Sequence, residues 1–199
     1  MQIDFGSRLR CEGADAGTVA DIVVDPAGRR LTHLVVDVHD DVARLVPAGL
    51  LAPAPDGGIV LGCSLAELRA MEAVGEVAYL PVDEFPESDE TSDVGIEDVM
   101  SVPSYQSIEF GDYADEFATG VNVRYDRIPK GEVELRGASD VVSPDGSRRG
   151  SLHGIVVDGP SLTHVVVRRG HLWWKRDVSV PIDGVESFAT DCVTLAQTA

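Results

Sequence analysis

No run of about twenty apolar residues occurs in the 199-residue sequence, which excludes a helical membrane anchor of ordinary length within it. Cysteine is scarce. Cys11, Cys63 and Cys192 are odd in number and widely spaced, without the close pairing of a zinc site, and no signal peptide precedes Gln2-Ile3-Asp4. The expectation is therefore reduced thiols in a cytoplasmic protein. Lysine and arginine are absent between Arg69 and Arg124, a gap that holds fourteen acids. Residues 1–69 carry ten acids and six bases, and residues 124–199 carry ten of each, so most of the net charge of −18 belongs to the middle of the chain.

What the sequence does contain is a repeat. Leu31-Thr32-His33-Leu34-Val35-Val36 returns as Leu162-Thr163-His164-Val165-Val166-Val167. Upstream, the run Gly17 to Asp25 aligns with Gly150 to Asp158. The offset changes only where a turn intervenes, as expected when ladders fix strand register and loops vary. A repeated supersecondary unit of this size points to a duplicated small β module.

Within each copy, Val, Ile and Leu runs of four to six residues alternate with Asp-Pro-x-Gly, Pro-Asp-Gly and Asp-Gly turn formers. Pro47 and Pro181 end strands, since proline cannot donate to a ladder. About five short antiparallel strands close best as a small barrel, which removes exposed edges. The fold class expected is mainly β, two small barrels in tandem with a short helix and an acidic connection.

The motifs Gly-x-Val-x-Asp-Ile-Val-Val-Asp, Leu-Thr-His-Leu-Val-Val and the Val-Pro strand end resemble the PRC-barrel family over residues 5–62 and 131–196. That module occurs in the cytoplasmic part of the photosynthetic reaction-centre H subunit and in the C-terminal half of the ribosome maturation factor. The resemblance implies a fold and a habit of binding macromolecules, and it supplies no catalytic residues. The reaction-centre anchor and the unrelated barrel of the maturation factor have no counterpart before the first copy, so the chain is similar to the stand-alone tandem form.

Three segments follow. Residues 1–75 make a first module with a C-terminal helix, 76–130 an acidic and partly ordered connection, and 131–199 a second module. Ser64-Leu65-Ala66-Glu67 fits a capping box that opens the short helix. Asp83 to Asp98 is too polar to offset its ordering entropy, whereas Val99 to Tyr125 is aromatic enough to lie against a barrel. Each module alone lies near the size where one core is marginal, so the copies are expected to pack on each other or on a second chain.

Catalytic patterns are missing. The acidic runs match no EF-hand loop, and no Gly-x-Ser-x-Gly turn is present, so the expectation is a non-enzymatic protein without metal or cofactor. His33 and His164 occupy equivalent positions; a structural, hydrogen-bonded role outweighs a ligand or a pH switch, because neither has a second ligand at metal spacing.

The least ordinary surface is the hairpin from Arg168 to Arg176, with Arg168, Arg169, Trp173, Trp174, Lys175 and Arg176 as candidate partner contacts. Alternation sends Trp173 and Trp174 to opposite faces. Internal docking, with Trp174 capping the barrel and Trp173 on the connection, is weighed slightly above an external partner.

The function expected is an adaptor or assembly protein that binds a protein partner or itself, a homodimer included. An RNA- or ribosome-associated maturation factor is the alternative, although the net charge opposes phosphate binding. A small-ligand or metal-binding protein stands third.

Overall fold

A computed structural model of the chain describes residues 1–39, 42–81, 92–93, 99–100, 120–126, 128–170 and 174–196, with those from 75 to 126 described as backbone. Seven strands come first: β1 Gln2–Asp4, β2 Arg8–Cys11, β3 Ala14–Asp25, β4 Arg30–Asp37, β5 Arg44–Pro47, β6 Leu51–Pro53 and β7 Ile59–Leu61, followed by helix α1 Leu65–Ala70. Next are β8 Gly75–Pro81, β9 Ser92–Asp93, β10 Val99–Met100, β11 Gly120–Asp126 and β12 Ile128–Pro129. The last seven are β13 Val133–Arg136, β14 Asp140–Val142, β15 Arg148–Asp158, β16 Ser161–Arg169, β17 Arg176–Pro181, β18 Val185–Ala189 and β19 Cys192–Leu195. The protein is mainly β. No helix among the described residues is long and apolar enough to cross a membrane.

Two compact units result, Met1–Ala73 with Gly131–Ala199, and Val74–Lys130. In the first, fourteen strands form one mixed sheet. Antiparallel β2–β3, β3–β4, β4–β5 and β6–β7 ladders are joined by a parallel β2–β7 pair. The same pairing recurs among β14 to β19, with β14–β19 as the parallel pair.

Even the irregularities match. The β3–β4 register shifts between Val19 and Asp21 and between Val23 and Val24, and the β15–β16 register shifts between Leu152 and Gly154 and between Val156 and Val157. The glycine that opens each aligned run has a stated reason. A Cβ on Gly17, at φ +124°, would lie 2.0 Å from the Asp37 carbonyl oxygen; one on Gly150, at φ +156°, would lie 2.5 Å from that of Arg168. Only glycine permits this approach of neighbouring backbones.

The leading strands cross over. Since β4 occupies one edge of β3, the other edge is shared by β2 and by β13, whose Leu135 faces Ile22. Reciprocally, β1 adds to β15, with Ile3 facing Ile155. Each half of the chain thus completes the sheet of the other. Paired hydrogen bonds repeat the exchange: Leu31 N donates to Pro160 O at 2.8 Å, and Leu162 N donates to Arg29 O at 2.9 Å. The apolar side chains merge into one core that contains Ile3, Ile22, Leu34, Leu135, Ile155 and Val165, all fully buried.

The sheet does not close, which differs from the expected pair of barrels. Between β5 and β6 the chain turns through a 3-10 segment, Ala48–Leu50, and Ile182–Gly184 does the same between β17 and β18. Neither pair of strands forms a ladder. Pro47 and Pro53 at the ends of β5 and β6 have no N–H to offer, and the free edges of β3 and β15 are filled by the exchanged strands instead.

Helix α1 is capped as its sequence requires. Ser64 Oγ accepts from Glu67 N at 3.2 Å while Glu67 accepts from Ser64 N at 2.8 Å, and Leu68 is buried. The second unit contains an antiparallel three-stranded sheet, β10–β11–β8, in which Gly75 to Pro81 pairs with Asp126 to Gly120, and a short β9–β12 pair. Other expectations for the acidic connection fall outside the described residues.

Candidate partner interface

The hairpin that joins β16 to β17 is built around Gly170. Its φ is +109°, and a Cβ there would meet the Trp174 carbonyl oxygen at 1.8 Å, so only glycine fits this position. Antiparallel register places Arg168 opposite Asp177 and Arg169 opposite Arg176. The two pairs differ in chemistry.

Arg168 is satisfied internally. Its Nε and Nη2 donate to the two Asp177 carboxylate oxygens at 2.8 and 2.9 Å, a bidentate fork. Nη2 also lies 2.6 Å from His153 Nε2. Arginine has no acceptor, so Nε2 accepts and the His153 proton sits on Nδ1. The hydrogen bonds from Arg168 hold the Asp177 carboxyl below its ordinary range, and Asp177 in turn raises Arg168.

Lowering a carboxyl pKa on folding stabilises the native state above the unfolded value, about 3.9, and that contribution is lost as the pH falls through the folded value. Its size is limited by the partly exposed position of the pair. In a carbon-detected NMR titration, Asp177 is expected to protonate at lower pH than an ordinary exposed aspartate, and Arg168→Met to return it to the usual range. Unchanged titration in the variant would remove the pairing from the account.

Arg169 and Arg176 face each other with both side chains exposed. Like charges directly opposite on a ladder destabilise it. Lys175 is exposed beside them, and Trp174 is 77% exposed. Trp174 therefore does not cap the sheet, contrary to the internal docking favoured from sequence: it lies two residues before β17 begins at Arg176, outside the ladder whose alternation would set its face. Trp173 lies outside the described residues.

His33 and His164 are half-buried, each registered against the proline that ends the next strand, Pro47 and Pro181. His33 Nδ1 is 3.3 Å from Glu132 Oε2, to which Thr32 Oγ1 also donates at 2.6 Å; His164 Nδ1 is 3.1 Å from Thr163 Oγ1. Among the described residues no group of three or more His, Cys, Asp or Glu is placed to hold a metal.

A polar cleft of about 730 Å³ is lined by Asp4, Arg8, Arg10, Asp15 and Asp56. Its Arg10 and Asp56 pair with each other, and hydrogen bonds from Arg10 and Gly58 lower the Asp56 carboxyl. Ser7 and Gln2 also line the cleft, and Gln2 donates to Asp4 at 2.9 Å.

No protein-family model and no curated protein matches the chain. The hairpin's own chemistry must carry the reading of function. Sequence reasoning singled out its basic and aromatic composition, but not the division between an internally paired Arg168 and a like-charged Arg169–Arg176 pair. It also left Cys11 and Cys63 apart, although their sulfurs lie 3.9 Å from each other.

Proposed function

We propose that the chain is a tandem of PRC-barrel-like modules acting in the cytoplasm as a non-enzymatic adaptor or assembly protein, with the β16–β17 hairpin as its contact for a protein partner. The reading rests above all on Trp174, exposed beside Lys175 and the facing pair Arg169 and Arg176. An exposed indole among arginines is the composition of a binding hot spot, and a partner that supplies carboxylates around an apolar slot would relieve the repulsion between the two guanidiniums. The matched pairing of β2–β7 and β14–β19 supports the tandem part of the reading. Self-association suits the same chemistry, because the stretch between Arg69 and Arg124 offers acids without bases.

The test is affinity capture with wild-type protein, Trp174→Ala and Arg169→Glu/Arg176→Glu, combined with native mass spectrometry of the purified chain. Each variant is expected to lose about tenfold or more in affinity for whatever protein, or second copy, the wild type retains. Equal retention by all three would refute the assignment. The RNA-associated alternative draws on the same basic hairpin. It requires salt-sensitive retention on RNA that Arg168→Glu/Lys175→Glu abolishes.

A further inference from the structure

We propose that Cys11 and Cys63 form a dithiol site that exchanges with small disulfides of the glutathione class and closes to an intramolecular disulfide. The two are 52 positions apart in sequence and meet because β2 and β7 run parallel, with Leu9, Arg10 and Cys11 registered on Ile59, Val60 and Leu61. Cys63 follows two residues after Leu61, the residue registered on Cys11, in the bend that leads from β7 to the cap of α1. Their sulfurs stand 3.9 Å apart. A disulfide needs about 2.05 Å, so the sulfurs must approach by roughly 2 Å. Cys63 lies between the end of β7 and the cap of α1, where no ladder hydrogen bond fixes it.

Burial sets the order of events. Cys11 is 1% exposed, whereas Cys63 is half-buried and accessible to a small reagent. Cys63 as thiolate attacks one sulfur of the small disulfide, the S–S bond breaks, and its electron pair leaves on the first small thiol. Cys11 then loses its proton and attacks the Cys63 sulfur, expelling the second small thiol. Two protein thiols are oxidised and one small disulfide is reduced to two thiols. Burial, with Cys63 next in effect, pushes the Cys11 thiol up to about 12, which makes ring closure the slow step. Cys192, in β19, takes no part.

The experiment uses the full chain carrying Cys192→Ser, treated with oxidised glutathione and followed by intact mass and by non-reducing tryptic digestion. The expected course is a transient glutathione adduct on Cys63, then loss of the adduct with a link between peptides 11–29 and 45–69. The closing rate should rise roughly tenfold per pH unit across the neutral range, as the thiolate fraction does. Cys11→Ser should stop at a stable Cys63 adduct. A permanent adduct in both proteins, no reaction at Cys63, or links only between chains would overturn the proposal. If Cys11→Ser fails to fold, the pH dependence of closure in the Cys192→Ser protein decides: a flat profile counts against Cys11 as the attacking thiol.

Discussion

Ile3→Ala is expected to cost the protein about 3 kcal/mol of stability, the range found for deleting a buried isoleucine side chain. A position this close to a chain terminus ordinarily tolerates change, because terminal residues fray. Here β1 is three residues long, yet Ile3 is fully buried and faces Ile155 in a strand from the other half of the chain. Three ladder positions and the hydrogen bonds between Met1 and Val157 hold it there. Urea denaturation followed by far-ultraviolet circular dichroism measures the loss; the exposed Trp174 would make fluorescence a poor reporter. A change below about 0.5 kcal/mol, typical of a surface site, would show that β1 does not complete the sheet.

Gly17→Val should be costlier than an ordinary glycine substitution, by about 3 kcal/mol or more, because two penalties coincide. The residue has φ +124°, and its new Cβ would lie 2.0 Å from the Asp37 oxygen and 3.0 Å from the Asp37 carbonyl carbon. Both are backbone atoms of β4, which cannot rotate aside. Gly13 separates the two penalties: it too has positive φ, +84°, but open space where a Cβ would stand. Gly13→Val therefore carries conformational strain alone, about 1–2 kcal/mol. Equal losses at both positions would mean that close packing of β3 on β4 does not explain the repeated glycine.

The local layer of this fold was legible in the residues. Asp25-Pro26-Ala27-Gly28 marked a turn, Pro47 and Pro181 marked strand ends, and Ser64 with Glu67 marked the helix start. Each is set by a few neighbouring residues whose backbone preferences act wherever the chain goes. Non-local pairing was not legible. Ile3 and Leu135 read as ordinary apolar strand residues, and nothing in their own neighbourhoods says that each adds to the other half of the chain. The same limit hid the meeting of Cys11 with Cys63, since parallel β2–β7 register joins residues far apart in sequence.

The strands of the acidic connection carried a signal that its charge obscured. Val121, Val123 and Tyr125 alternate with Asn122, Arg124 and Asp126, the period of the β11 strand that pairs with β8. For Trp174, composition pointed to the right hairpin but could not say which way the side chain faces. That depends on where the ladder ends: its last pair is Arg169 with Arg176, and Trp174 lies two residues before β17 begins.

The account's central claim is that two matched strand sets fold as one unit because each supplies a strand to the other. Fragment complementation tests it most directly. Residues 1–73 alone leave the Asp21 to Val24 edge of β3 unpaired, and residues 131–199 alone leave Gly154 to Val156 of β15 without β1. The expected result is that neither fragment gives a folded monomer, while an equimolar mixture recovers a β-sheet spectrum and a single cooperative melting transition. A folded, monomeric fragment of either half, with cooperative melting of its own, would contradict the claim.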